Sequence, residues 1–515
     1  MRVAALAVLA GALLLAYRPA GRGQEPVQSG ARVVRAAAVA AIDGGYEPAA
    51  EDPRPGPTPT LATGVPSVQP RYVPGEVIVK FLPSTVPEAA ARHLRALGVR
   101  ALTRPRFAGA DVLELEPGAD PEAVARALAA RPDVEYAQAS YLRQPLFVPN
   151  DPYFAQQWNL AILNMARAWD INDGATDAVV VAVIDSGVAF ADLEVDFNAR
   201  AFRIGERRYP ALGALELPFA AAPDLAGPGR FVAPYDFVWG DEYPLDFDGH
   251  GTHVAGTVGQ LTDNGVGVAG VAFNVRIMPL KVIGGPWDFI FGALDECCGA
   301  TDMAVAEAVR HAVLHGARVI NLSLGGPSES PLIVDALRHA VDRGAFVAIA
   351  AGNEFGVGNV PIHPAASGAR IDGVMSVGAV NHRLARASYS SVGRYVEVAA
   401  PGGDLDPPAD HSPSAVLQQT LDYRAIRTFR LPPERYGPPR FDVLRIVGVH
   451  GTSMAAPHVA GLAAMLMTQG ITDPAAIEAA IKYFAVDLGP PGRDAEFGYG
   501  LINPHATLRG FGLSR

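Results

Sequence analysis

The stretch AVVVAVIDSGV, residues 178–188, is the first of five long apolar runs that show no polar alternation. RIMPLKVI, ARVINLSLGG, AFVAIAAGN and VMSVGAV follow between Arg276 and Val380. Strands that read this way are buried on both faces, as in a parallel sheet covered by helices on either side. Stretches of helical period, MAVAEAVRHAVLHGA and PLIVDALRHAVDRGA, lie between them. This βαβ succession predicts an α/β fold with a doubly wound, mostly parallel sheet and helices on both faces. The ligand site of such a sheet lies beyond the carboxyl ends of its strands. The polar tails of the runs therefore matter most: Asp185-Ser-Gly, Ser323-Leu-Gly-Gly and Gly352-Asn353.

Ahead of this region the texture changes three times. Residues 1–23, MRVAALAVLAGALLLAYRPAGRG, place Arg2 before an apolar run that is short for a membrane span, which reads as a signal peptide, with an uncleaved anchor as the alternative. Residues 24–70 are rich in Pro, Gly, Ala and Thr without sustained periodicity and read as a linker. In 71–146, GEVIVKF, ADVLELE and VEYAQASYL read as strands, and PEAAARHLRALGV and DPEAVARALAARPDV as helices, which makes a small α+β unit. The large domain then occupies 147–512. A net charge of −11 argues against nucleic acid as a partner. The two cysteines, Cys297 and Cys298, are adjacent, too few ligands for a zinc cluster, and read as free or buried thiols or as a vicinal disulfide.

Three polar residues sit where chemistry is feasible. Asp185 ends a buried strand, where it serves either as a turn cap or as a carboxylate held against apolar walls. Ser453, in HGTSMAAPHVAGLAAMLM, stands at a helix start, where a plain N-cap competes with a nucleophile whose own N–H faces a developing oxyanion. A serine needs a base to remove its proton. Among twelve histidines, His250 and His253 in DGHGTHVAG lie in a glycine-rich turn, and a zinc reading of the pair lacks a third ligand and a metalloprotease glutamate.

Three segments, AVIDSGV, DGHGTHVAGTVG and GTSMAAPHVAGLAAML, occur in the order Asp, His, Ser and resemble the three motifs of the subtilisin-like serine proteases. NLSLGGPSES, IAAGNE and GYGLINPHATL extend the resemblance over about 151–508, and the unit at 71–146 is similar to the family's ferredoxin-like inhibitory propeptide. The resemblance implies a secreted or periplasmic serine endopeptidase made as an autoinhibited precursor, monomeric, with polypeptide substrates and its own propeptide as partners. Ser453 would be the nucleophile, His250 the base, Asp185 its orienter, and Asn353 with the Ser453 N–H the oxyanion donors. His253 would face neighbouring packing. Ser323, Leu324, Gly325 and Gly326 would form one wall of the cleft, pairing with substrate backbone, and Ala350, Ala351 and Gly352 the facing wall. An apolar first pocket would close near loop 354–363. No cofactor is required for the chemistry. Structural calcium is expected, with Asp151, Asp192, Asp263 and Asn264 as the nearest equivalents of the family's ligands.

The chain departs from compact members by insertions at about 196–240 and 403–447 and by a longer GGPWDFIFGALDECCGA segment beside the cleft. A catalytically silent peptide-binding protein of the same fold is the alternative. A lipase reading fails because Gly451-Thr-Ser453-Met-Ala455 lacks the second glycine of G-x-S-x-G.

Overall fold

The computed structural model describes residues 33–36, 72–83, 85, 94–105, 109–141, 147–404 and 414–510. The signal-peptide reading of 1–23 lies outside them. The described residues fall into two compact units, one of 33–36 with 147–510 and one of 72–141.

The larger unit is built on a seven-stranded, wholly parallel sheet. Its strands are β1 (Val180–Asp185), β2 (Tyr235–Asp236), β3 (Arg276–Lys281), β4 (Val319–Leu322), β5 (Phe346–Ala350), β6 (Val374–Val380) and β7 (Val398–Pro401), in the order β2-β3-β1-β4-β5-β6-β7. All five apolar runs are strands, and two short ones, β2 and β7, complete the edges. Alternation along β1 explains why the run had to be apolar throughout. Val180, Ala182 and Ile184 pack under helices Asp302–Leu314 and Pro331–Asp342, whereas Val181 and Val183 pack against His250–Gly259 and Thr452–Thr468. Successive residues enter opposite layers, so no position is left for a polar side chain until Asp185 at the carboxyl end.

The smaller unit is a four-stranded antiparallel sheet in the order Val99–Thr103, Asp111–Leu115, Tyr72–Phe81, Val134–Tyr141. Helix Pro121–Ala129, capped by Asp120 at its first turn, buries Ala125 and Leu128 with Val77, Val79, Leu113 and Val134 of the sheet. Of the other expected helix, 87–99, residues 94–99 lie within the described residues; 94–96 are helical, 97 and 98 form a turn and Val99 begins a strand. Strand Val99–Thr103 was not expected. Four of its five residues are exposed, so it carries no hydrophobic alternation, and it is held at the sheet edge by pairing with Asp111–Leu115.

The stretch read as a linker also contributes a strand. Val33–Ala36 pairs antiparallel with Leu193–Ala199, the middle strand of a small sheet completed by Gly213–Phe219. Main-chain pairing of this kind needs no side-chain period, which is why composition alone missed it.

The insertions are not independent excursions. Residues of 193–219, Trp287, Ile290 and Phe291 of 286–291, and Leu421, Ile426, Phe429 and Phe441 share one additional aromatic core. Phe219 stacks on Phe441 at 4.8 Å, Phe197 on Phe291 at 4.2 Å, and Trp287 Nε1 donates to the Ile426 carbonyl at 2.6 Å. Hairpin Val416–Leu421/Leu444–Val449 lies against the histidine helix, where it receives the His253 ring.

Candidate active site

Asp185, His250 and Ser453 each stand at the end of a buried element. Asp185 is the last residue of β1 and has no exposed surface. His250 is the first residue of helix His250–Gly259, entered through Gly249 at φ 89°. The next residue is a glycine because a Cβ on Gly251 would lie 2.2 Å from the Gly187 carbonyl oxygen and 3.1 Å from Asp185 Cβ. That close approach brings the ring to the carboxylate: His250 Nδ1 lies 2.6 Å from Asp185 Oδ1, which also accepts the Ser186 N–H at 2.7 Å. With Nδ1–H donating to Asp185, Nε2 is left facing outward as the basic nitrogen.

Burial works against the charged His250 ring, but the attraction of Asp185, their hydrogen bond, and the charges of Asp248 and Asp246 outweigh it and raise the pKa to about 9. His253 behaves in the opposite way. Fully buried, it donates from Nε2 to the Val416 carbonyl at 3.0 Å, with the Val447 carbonyl at 3.2 Å, and burial and the nearby His250 push its pKa down to about 3. It is a neutral packing residue, as expected from the sequence.

Ser453 is the second residue of helix Thr452–Thr468. Its hydroxyl donates to the Ser323 carbonyl at 3.4 Å, a long bond that is its only one among the described residues, and Ser323 Oγ in turn donates to the Ser453 carbonyl at 2.8 Å. Asn353 follows β5. Its Oδ1 accepts the Thr452 N–H at 2.9 Å and the Thr452 hydroxyl at 3.0 Å, which fixes the amide and leaves Nδ2 to face the site. A methyl group placed on Gly451 would lie 3.7 Å from Asn353 Nδ2 and 3.6 Å from Ser453 N, so the two donors border the same space.

A groove of about 600 Å³ runs from Asp248 and His250 along Ser323–Gly326, with Gly284–Pro286 and Ala300 opposite. The main-chain groups of Leu324 and Gly325 make no hydrogen bond among the described residues. Gly326 is different: its N–H and C=O are both engaged by His363, at 2.8 Å each. The facing wall is likewise satisfied internally. Ala351 pairs with Val377 and receives Tyr395 Oη, and Gly352 donates to Thr452 Oγ1 and accepts from Ser391. Of the residues expected in the two walls, Leu324 and Gly325 therefore have main-chain groups open to an extended peptide.

This chain matches the Subtilase family over residues 176–500, with the carboxylate, imidazole and hydroxyl all inside the match. The chain belongs to the subtilase family. Residues 60–140 match the Fervidolysin N-terminal prodomain. The thermophilic serine proteinase of Bacillus sp. (strain AK1) is 31% identical over 438 residues, 85% of this chain and 88% of the relative. Subtilisin DY of Bacillus licheniformis is 35% identical over 283 residues, 54% of this chain and 85% of the relative. Among solved structures, a protease from Pseudoalteromonas arctica PAMC 21717 superposes with a TM-score of 0.52 at 29% identity, covering 70% of this chain and 99% of that one. This subtilase is thus a serine endopeptidase that carries an N-terminal prodomain.

Two residues of this subtilase's site were not singled out in the sequence. Asp246, buried, accepts from Ser186 Oγ, the N–H groups of Asp248, Gly249 and Thr252, and the Thr252 hydroxyl, and so shapes the turn that presents His250. Its position four residues before His250, just ahead of the histidine motif, was the available signal. Thr452 orients Asn353 by donating its N–H and hydroxyl to Oδ1.

Of the residues expected to hold calcium, Asp151, Asp263 and Asn264 are brought together. Asp151 Oδ2 accepts the Asp263 N–H at 2.8 Å, and Asn264 Nδ2 donates to Asp224, not to Asp192. The Asp192 carboxylate instead accepts the Ala221 N–H. Asp224, inside the 196–240 insertion, also accepts the Val268 N–H at 3.0 Å. Burial raises Asp224 to about 7, despite bonds from Val268 and Asn264, and Asp151 Oδ1 is buried without a partner among the described residues. Cys297 and Cys298 are exposed beside the groove, with their sulfur atoms adjacent.

Proposed function

We propose that this subtilase is an exported endopeptidase that cleaves extended polypeptides through an acyl-enzyme at Ser453. The 2.6 Å contact between His250 Nδ1 and Asp185 is the observation that carries this reading, because it fixes the tautomer in which Nε2 is free to accept a proton.

A substrate strand lies along Leu324 and Gly325 with its scissile carbonyl over Ser453. Rotation about the Ser453 side chain exchanges the long bond to Ser323 for one to His250 Nε2, which takes the proton as Oγ attacks the carbonyl carbon. The oxyanion forms between Asn353 Nδ2 and the Ser453 N–H, where the helix start also favours negative charge. The imidazolium, stabilised by buried Asp185, returns the proton to the leaving amine. Water, deprotonated by the same ring, then hydrolyses the ester. No cofactor takes part.

Calcium is assigned a structural role. Asp151, Asp224 and Asn264 supply hard oxygen donors suited to it, and the buried unpartnered oxygen of Asp151 and the raised pKa of Asp224 both point to a missing positive charge. The signal-peptide reading of 1–23 and relatives named as extracellular proteases support export. Among the described residues no helix is long and apolar enough to cross a membrane. The prodomain acts as intramolecular inhibitor until a cut near 146–151 by the enzyme itself, and the mature protease works as a monomer.

Incubation with casein tests the reading. The processed protein is expected to release peptides and Ser453→Ala to release none, whereas a silent wild type would favour a peptide-binding role. N-terminal sequencing of Ser453→Ala that found the same mature start would refute self-processing.

A further inference from the structure

The two walls of the cleft each present a glycine to the same side chain. A Cβ on Gly325 would lie 2.4 Å from Ile362 Cγ2, and one on Gly352 would lie 2.6 Å from Ile362 Cγ1. Ile362 is therefore wedged between Leu324–Gly325 and Ala351–Gly352, where the first side-chain pocket beside Ser453 would open. It is 5% exposed, whereas its apolar neighbours in the loop, Phe355, Val357 and Val360, are 39%, 79% and 45% exposed. The groove of about 600 Å³ is lined by Ser323–Gly326 but by no residue of 350–353.

Ile362 is also poorly placed to move aside. Its carbonyl accepts the Ala366 N–H at 2.8 Å, and the next residue, His363, is tied to Gly326 by two main-chain bonds of 2.8 Å. A β-branched side chain between two glycine walls has few rotamers to choose from. Displacing it would mean overpacking a filled site.

We propose that Ile362 is a specificity-determining residue: it forms a raised floor in the first pocket and restricts the residue before the scissile bond to small side chains such as alanine, glycine or serine. This rests on the protease reading above and gives a size limit to the apolar first pocket expected from the sequence.

The test uses the processed enzyme with two succinyl-Ala-Ala-Pro-X p-nitroanilides, X being alanine or phenylalanine, and a fluorophosphonate to count competent sites. Wild type is expected to favour alanine over phenylalanine in kcat/KM by ~10-fold or more. Ile362→Gly, and Ile362→Ala should the glycine variant fold poorly, are expected to raise the phenylalanine-to-alanine ratio by ~10-fold or more. A phosphonate-labelled wild type that cleaves phenylalanine as well as alanine would overturn the proposal, as would an unchanged ratio in a labelled variant. Failure to label and to cleave either substrate would instead overturn the protease reading and the proposal with it.

Discussion

His253 donates its Nε2–H to the Val416 carbonyl at 3.0 Å, while His250, one helical turn earlier, directs Nδ1 to Asp185 at 2.6 Å. One helix thus carries a ring bonded to a buried carboxylate and a ring bonded to the inserted hairpin. The account predicts that His250→Ala loses about 10⁴-fold or more in kcat with the unfolding midpoint nearly unchanged. His253→Ala strands two buried carbonyls and opens a cavity, and should cost roughly 2–4 kcal/mol in urea unfolding while kcat per phosphonate-titrated site falls less than about tenfold. Equal loss of activity in both folded variants would refute the division.

Activity should depend on pH through His250. The base must be neutral to accept the serine proton, so kcat/KM rises as pH climbs through its pKa. Asp185 and the neighbouring carboxylates hold that pKa above the ordinary imidazole value, at about 9 in the resting site. The rising limb is therefore expected on the alkaline side of neutrality. Asp248→Asn removes one negative charge that stabilises the imidazolium and should move the limb to lower pH. An unmoved or higher limb would contradict the assignment.

Asn353→Leu should lower kcat by roughly 10²–10³-fold with KM little changed, a magnitude taken from the corresponding donor of subtilisin itself rather than derived from this chain. The donor acts only once the oxyanion has formed. Steady-state kinetics on one peptide substrate decides the matter, since a change confined to KM would place Asn353 in ground-state binding instead.

Chelation should lower the melting temperature of the mature enzyme, and added calcium should restore it. A ligand at a hundredfold excess over its Kd contributes about 2.7 kcal/mol. Asp224→Asn should blunt the response to calcium, and Asp192→Asn should leave it intact. A response that instead depends on Asp192 would return the site to the arrangement expected from the sequence.

The central sheet and the placement of the candidate site residues were legible because their signals are local. The continuous apolar run of β1 reports burial on both faces, and Asp185, His250, Asn353 and Ser453 all lie where a strand ends or a helix begins. Less was legible where partners are remote in sequence. Phe219 and Phe441 stack across more than 200 residues, so the insertions gave no hint of a shared core. The bond between Asn264 and Asp224 joins residues 40 apart, one of them inside an insertion, and no local pattern reports it. Val33–Ala36 and Val99–Thr103 are held by main-chain pairing and carry little hydrophobic pattern. Ile362 sits in a loop whose direction only the fold reveals.

The most direct test of the central claim is mass spectrometry of the processed enzyme after treatment with a serine-directed fluorophosphonate. A single adduct on Ser453 is expected, absent from Ser453→Ala and strongly slowed in His250→Ala. No adduct, or one on another serine, would contradict the assignment of Ser453 as a nucleophile activated by His250.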